Sequence, residues 1–445
     1  MRKLITFFLL LSAAAGLRAE PVPPAPAVIP ERSVSLLDFG GVPDGIELNT
    51  AAFRRAFEAL EKQGGGHLIV PAGIFLTGPI ELPGRTDLHL ERGAVLLFSP
   101  DKKDFFDGKK VPPCISASRQ EDVSISGEGI IDGNGAWWRP VKRAKVSDAE
   151  WKLFRRKGGT LSPDESLWYP FGLKHYEDIA PTYAAQEKLR THLIRFSDCR
   201  RVNVSGVVLQ NAPKFHLVPQ RCSDVTIRDV FVRCPWNAQN GDGIDVMQCV
   251  RVLISGCMVD VGDDGICLKG GVGQKGLEEG PCKDILIENN TVFHAHGGFV
   301  IGSEFSGGMQ DITVRNNVFS GTDTGLRFKS APERGGLTQN IRISDISMTD
   351  IKDEAIVFQT DYADRPAGGK EKKASTRNAF LPEFTDITIS GVVCRGCNTA
   401  IRAKGTLETV HGISVSDCVF FYTDKATDID VPEMIKTNNL RLISY

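Results

Sequence analysis

Beyond its first residues the 445-residue chain has no apolar run long enough to cross a bilayer, which takes about 20 consecutive apolar residues. It also has almost no net charge, −2 at pH 7, so no global field gathers a polyanion or a polycation, and nucleic acid is not an expected partner. An acidic ligand must therefore be held by local basic groups. An even cysteine count is missing too: eleven cysteines leave at least one thiol outside any intramolecular disulfide, and the chain far exceeds a disulfide-stapled mini-domain. Cys257, Cys267 and Cys418 lie in apolar, strand-like runs, where they read as small buried hydrophobes. Cys394-Arg-Gly-Cys397 has the spacing of a redox pair but lacks a flanking helix pattern. What is present, 41% hydrophobic and 24% charged residues, is enough for a large core.

The N-terminus sets an expected compartment. Arg2-Lys3, an apolar run from Leu4 to Leu11 and small residues ending at Ala19 have the layout of a secretory signal peptide over residues 1–19. Export to the periplasm or the exterior is the expectation. Residues 20–33, with PVPPAPAVIP at their centre, read as a stiff extended spacer, leaving residues 34–445 as the folded domain.

Self-similarity decides the fold. Asp122-Val-Ser-Ile-Ser-Gly, Arg201-Val-Asn-Val-Ser-Gly, Asp224-Val-Thr-Ile-Arg-Asp, Arg251-Val-Leu-Ile-Ser-Gly, Asp284-Ile-Leu-Ile-Glu-Asn, Asp311-Ile-Thr-Val-Arg-Asn, Asn340-Ile-Arg-Ile-Ser-Asp, Asp386-Ile-Thr-Ile-Ser-Gly and Gly412-Ile-Ser-Val-Ser-Asp share one pattern. Each puts two β-branched side chains on one face of a short strand and ends at a residue able to turn left-handed. From Arg201 onward the starts are 23, 27, 33, 27, 29, 46 and 26 residues apart, enough for three or four strands per rung. The period predicts an all-β chain, a right-handed single-stranded parallel β-helix, in which stacked strands bury a continuous apolar column. A β-propeller would need antiparallel hairpins, of which few are visible. Asn49-Thr50, then Ala52, Phe53, Ala56, Phe57 and Leu60, then Gly64-Gly65-Gly66, predict a short amphipathic helix with Asn49 as N-cap that covers the N-terminal end. Residues of about 139–191 break the pattern and read as an insertion. Four of the five tryptophans, at 137, 138, 151 and 168, lie in or beside it, where they stack on sugars or pin down the loop.

Four polar clusters sit at strand ends: Asn240-Gly-Asp242-Gly-Ile-Asp245, Gly262-Asp263-Asp264, His296-Gly297 and Arg327-Phe-Lys329. Each alone reads as turn chemistry. Asp242 and Asp263, however, are 21 residues apart, close to one rung, and stacked rungs are only about 4.8 Å apart, so carboxylates of successive rungs converge. Three carboxylates that close cannot all ionise freely, and at least one must keep a proton, as a general acid does. Turn chemistry alone gives no reason for a His and two cations to join them.

Taken together the motifs resemble those of glycoside hydrolase family 28, the polygalacturonase family, whose Asn-Thr-Asp, Gly-Asp-Asp, Gly-His-Gly and Arg-Ile-Lys read here as Asn240-Gly-Asp242, Gly262-Asp-Asp264, Ala295-His296-Gly297 and Arg327-Phe-Lys329. Phe39-Gly-Gly-Val-Pro-Asp-Gly45, Asp132-Gly-Asn-Gly-Ala-Trp-Trp138 and Gln359-Thr-Asp-Tyr362 extend the likeness over everything after the spacer. The resemblance implies a pectin lyase-like solenoid that hydrolyses α-1,4-galacturonosidic bonds of pectin with inversion. Asp263 would be the general acid, with Asp242 and Asp264 activating the water. His296 would tune the acid; Arg327 and Lys329 would hold the galacturonate carboxylate; Tyr362, Asn240 and Asp245 would also bind substrate. Neither cofactor nor metal is called for. Adjacent Asp263 and Asp264 would face opposite ways in a regular strand, so these roles require a bend. The run from His296 to Gly308, with Arg334-Gly-Gly336, is similar to bacterial exo-acting members, and the insertion would wall off one cleft end. Three rivals follow: a rhamnogalacturonan or other pectin-branch hydrolase, a Ca²⁺-dependent pectate lyase using the carboxylates as ligands, and a non-catalytic carbohydrate-binding solenoid.

Overall fold

The computed structural model describes residues 20–362 and 380–445; the signal peptide expected at 1–19 lies outside them. The repeats are successive strands of one parallel sheet, and two more parallel sheets complete each rung, as in Ile244–Met247, Val250–Ser255 and Met258–Asp260. The helix strands pair with their counterparts one rung away: Val252 with Val225 and Ile285, Ile254 with Ile227 and Ile287. This is the expected right-handed parallel β-helix. The inward column is closed, with Val225, Val252, Ile285, Ile312, Ile341, Ile387 and Ile413 at most 1% exposed. Burying such a branched side chain contributes about 1.5–3 kcal/mol, so the column is the main source of stability.

Each repeat ends at a left-handed residue, as the pattern predicts, from Gly206 (φ 77°) through Asp229 (φ 55°) to Asp417 (φ 55°). The first residue of every repeat is left-handed as well, including Arg201 (φ 55°) and Arg251 (φ 57°). Arginine has no intrinsic preference for that region, so the conformation must be imposed from outside. This first residue lies at the start of the second-sheet strand, as Arg251 does in Val250–Ser255, and its outward side chain is clamped one rung below: Arg201 Nε donates to Asp122 Oδ1 at 2.7 Å and Arg251 Nε to Asp224 Oδ1 at 2.7 Å.

The same aspartates hold the proline-rich segment. Val28 N donates to Asp122 Oδ1 (2.9 Å) and Ala25 N to Asp224 Oδ1 (3.1 Å), while Glu20 meets Arg315 at 3.0 Å. Residues 20–33 thus lie along the turn column as a strap, not as a free spacer. The capping helix forms over Thr50–Lys62 and buries Ala52, Phe53, Ala56, Phe57 and Leu60. Asn49 precedes it but makes no side-chain cap; its amide is spent on Val42, Glu47 and Leu76, fastening the preceding loop to the first rung. All eleven cysteines are buried and free.

The insertion carries a small antiparallel sheet of Val141–Lys142, Thr160–Leu161 and Leu167–Tyr169 and the helices Asp148–Arg156 and Tyr183–Lys188. Ser147 and Glu150 form a capping box that starts the first of these helices. Trp151 and Trp168 pack with Val141 into a separate apolar cluster, and Trp138 is buried edge-on against Phe105 at 4.9 Å. Three of the four tryptophans in this region are thus spent on packing, while Trp137 is exposed with its ring beside Phe171.

Candidate active site

The clusters fall in one column of turns, those linking the third sheet to the first sheet of the next rung. Asn240 and Asp242 precede Ile244–Met247, Asp263 and Asp264 precede Ile266–Lys269, and His296 precedes Gly297–Ser303. Arg327 and Lys329 lie on Thr324–Ser330, on the outer face of the first sheet. They line a cleft of about 1270 Å³ together with Tyr362.

The ladder brings the carboxylates together with a different register from the one that their spacing suggests. Ile244 pairs with Ile266, and Gly243 N donates to Asp264 O at 2.9 Å, so Asp242 stacks on Asp264. Asp263 belongs instead to the row of His296, whose N–H reaches Asp263 O at 2.9 Å. Asp263 and Asp264 sit in a bend outside any strand, as their roles require. Two glycines permit it. A Cβ on Gly262 would come within 2.8 Å of the carbonyl oxygens of Ala238, Pro235 and Trp236, and one on Gly265 within 3.0 Å of Gly297 O. The result is that Asp242, Asp263 and Asp264 each bring an oxygen within 4.8 Å of the others.

Each carboxylate has its own surroundings. Asp263, with a side chain 20% exposed, is the most accessible and lies 3.1 Å from His296 Nδ1. Asp264, at 2%, sits behind it against Lys329 Nζ (2.7 Å) and Arg327 (3.6 Å), among charges and not in the apolar column. Asp242 is equally covered, and its backbone carbonyl accepts from buried His216, both N (3.0 Å) and Nδ1 (2.8 Å). Burial holds that imidazole neutral, down to about 4. The Oδ1 atoms of Asp242 and Asp264 are buried without a hydrogen-bond partner among the described residues.

These surroundings divide the protons. Burial, then the charges of Asp245 and Asp263, push Asp242 well above the carboxylate range. Burial also pushes Asp263 up, but the hydrogen bond and field of His296, then the ammoniums of Lys329 and Lys145, outweigh it and hold the group low. For Asp264 burial is outweighed by Lys329 and Arg327. The surroundings thus favour the neutral form of Asp242 and the ionised forms of Asp263 and Asp264.

Two other expected substrate ligands are otherwise engaged. Asn240 lines the cleft, but its Oδ1 accepts from Arg190 Nη2 at 2.9 Å, while its backbone N–H donates to Asp263 Oδ2 at 3.2 Å. Asp245 is fully buried and does not line the cleft; it faces Lys269 Nζ at 3.5 Å, and burial raises it to about 7. Tyr362 is placed as expected, its ring within 5.1 Å of Lys329 Nζ and 5.6 Å from the Arg327 guanidinium.

The sequence profile of the glycosyl hydrolases family 28 matches residues 172–429, more than half of the chain. The chain belongs to that family. Among its relatives, the exo-poly-α-D-galacturonosidase of Dickeya chrysanthemi is 28% identical over 400 residues, 84% of this chain and 64% of the relative's length. A probable polygalacturonase of Vitis vinifera is 28% identical over 89% of this chain and 76% of its own. Among solved structures, the exopolygalacturonase of Thermotoga maritima superposes with a TM-score of 0.76 at 29% identity, covering 95% of this chain and 94% of its own.

Within the family 28 chain, the carboxylate trio is also, among the described residues, the one group whose geometry suits a bound cation. Its donor set argues against that use. Lys329 stands 2.7 Å from Asp264, and a Ca²⁺ shared by the three aspartates would face Lys329, Arg327 and Lys145 at close range. The residues that sequence reasoning missed are cationic: Lys142, Lys145 and Lys269 all line the cleft. The first two come from the insertion, whose run of charges from Lys142 to Lys157 was the available signal.

Proposed function

We propose that the chain hydrolyses α-1,4-galacturonosidic bonds of homogalacturonan, releasing terminal galacturonate units with inversion. The observation that carries this reading is the trio of carboxylates flanked by Arg327 and Lys329 on the cleft floor. A carboxylate trio supplies acid and base, and a guanidinium with an ammonium suits a uronate carboxylate. The similarity to exo-acting relatives supports terminal attack.

Asp263, the accessible member, acts as general acid; Asp242 and Asp264, whose Oδ1 atoms have lone pairs unspent, take a proton from the attacking water. Because its surroundings favour the ionised form, Asp263 must gain a proton before it can act as the acid. Substrate binding supplies the drive. A uronate carboxylate laid against the cations cancels part of the positive field that keeps Asp263 ionised. Asp263 then gives its proton to the leaving oxygen as the C–O bond breaks, and the water's oxygen bonds the anomeric carbon as its proton goes to Asp242.

The test is product analysis on α-1,4-trigalacturonate and on rhamnogalacturonan. Galacturonate released one unit at a time, first seen as the inverted β-anomer by NMR, is expected. An unsaturated, ultraviolet-absorbing product abolished by a chelator would instead mean a lyase, and internal cleavage would remove the exo reading. A polymeric substrate and the N-terminal apolar run both support action outside the cytoplasm.

A further inference from the structure

The insertion joins the β-helix in the same column of turns as the catalytic residues. It occupies the turn between Ile130–Asp132 and Ile194–Ser197, three rungs before the Asp263 turn, about 14 Å along the axis. From there it folds over the site. Lys145 Nζ donates to Gly262 O at 2.9 Å and stands 3.3 Å from His296 Nε2. An ammonium only donates, so this Nε2 accepts, and in the neutral ring the proton sits on Nδ1, aimed at Asp263 Oδ1.

Lys145 and its neighbour Lys142 are partly buried, line the cleft, and have no carboxylate partner among the described residues. Lys142 is close enough to Lys145 and Asp263 to feel both charges: burial, then Lys145, lower its ammonium's pKa, and Asp263 opposes them. Two neighbouring ammoniums that make no ion pair among the described residues repel each other, and the anion of a ligand relieves that repulsion. Arg327 and Lys329 lie on the other side of the trio, next to Asp264, and Lys145 lies on the His296 side.

The geometry points to Lys142 and Lys145 as a second carboxylate-reading subsite, built by the insertion, that receives the uronate on the opposite side of the scissile bond from Arg327 and Lys329. It rests on the hydrolase reading above and adds what that reading lacks: both sugars flanking the bond are read by charge, one by the β-helix and one by the insertion. Lys145 does double duty, since the ammonium that meets the carboxylate also orients His296.

Three disaccharides test this: α-1,4-digalacturonate and the two derivatives in which one carboxyl or the other is reduced to a primary alcohol. Lys142→Met is expected to raise KM about 10- to 100-fold on digalacturonate, the loss of a charge-assisted contact. It should do the same on one reduced derivative and leave the other unchanged. Arg327→Met should show the mirrored pattern. Lys145→Met should lower kcat as well as raise KM, and Lys145→Arg should recover most of the KM. Equal losses by Lys142→Met on all three substrates, or no loss on digalacturonate, would overturn the proposal. A wild-type enzyme that cleaves none of the three would overturn the hydrolase reading instead. Because each variant is compared with itself across substrates, a folding defect cannot imitate the pattern.

Discussion

The most quantitative consequence of the site's electrostatics concerns Asp245, a fully buried carboxyl whose two oxygens find no hydrogen-bond partner among the described residues. Burial carries it from 3.8 to about 7 despite the pull of Lys269, so its anion is disfavoured by on the order of 4 kcal/mol. The folded chain then binds a proton that the unfolded chain has released, and stability falls as pH rises from about 4 to about 7, with no further loss above. Asp245→Asn keeps the shape of the protonated group and cannot ionise. Thermal unfolding followed by circular dichroism should show wild type and variant melting together at pH 4. The variant should gain by pH 8, by roughly 5 °C because a chain of this length shifts only about 1–2 °C per kcal/mol. Asp263→Asn is the internal control. Its carboxyl is held low, so its stabilising contribution is present above the unfolded value and the variant should lose stability at neutral pH. A gap for Asp245→Asn that does not change with pH, or a loss at pH 8, would refute the reasoning. The pair with Lys269 would then outweigh burial.

In steady-state assays on trigalacturonate, Asp263→Asn should lower kcat by about 10²- to 10⁴-fold with little change in KM. His296→Ala removes a group that favours ionised Asp263, so the alkaline limb of the kcat profile should move to higher pH while kcat falls. Phe328, fully buried and stacked on Phe358 at 4.4 Å, should cost about 3–5 kcal/mol on replacement by Ala, read as an earlier melt, since the stacked rungs cannot close over the void.

The β-helix was legible because its cause is local and repeated. Alternating β-branched residues at a near-constant interval leave one arrangement that buries them all, and Val252 or Ile285 needs only its neighbours one rung away. Features that depend on what sits above or below were not legible. Arg201 and Arg251 adopt a left-handed turn that arginine does not favour, because Asp122 and Asp224 hold them there. Asp242 stacks on Asp264 and not on Asp263, because residues in the bend contribute length without ladder pairing. Asp245 shares a motif with Asp242 yet is sealed from the cleft, which no spacing within six residues reveals.

Charge along the cleft explains why an insertion is needed at all. On the first sheet, Gln220, Met247, Lys269, Gly302, Lys329, Gln359 and Lys404 share one outward row running along successive rungs. Cations thus begin at the Asp264 rung and continue toward the C-terminus. N-terminal to that rung the part of the row that lines the cleft offers Gln220 and Met247, with Phe215 beside them, while the nearby β-helix cation Lys214 packs over Phe215 and does not line the cleft. The insertion enters from that same end, anchored by Arg190 on Gln239 O and Asn240, and brings Lys142 and Lys145 into the cleft, Lys145 over the Asp263 turn between Gly262 and His296. One element therefore both narrows the cleft and completes its charge. A polymer with a carboxylate on every sugar would then set its last unit against the insertion's lysines, with the remaining units extending over Arg327 and toward Arg402, which also line the cleft. Terminal attack and recognition of a second uronate have the same structural cause, so shortening the insertion should convert the enzyme to internal cleavage and weaken its preference for the free acid together.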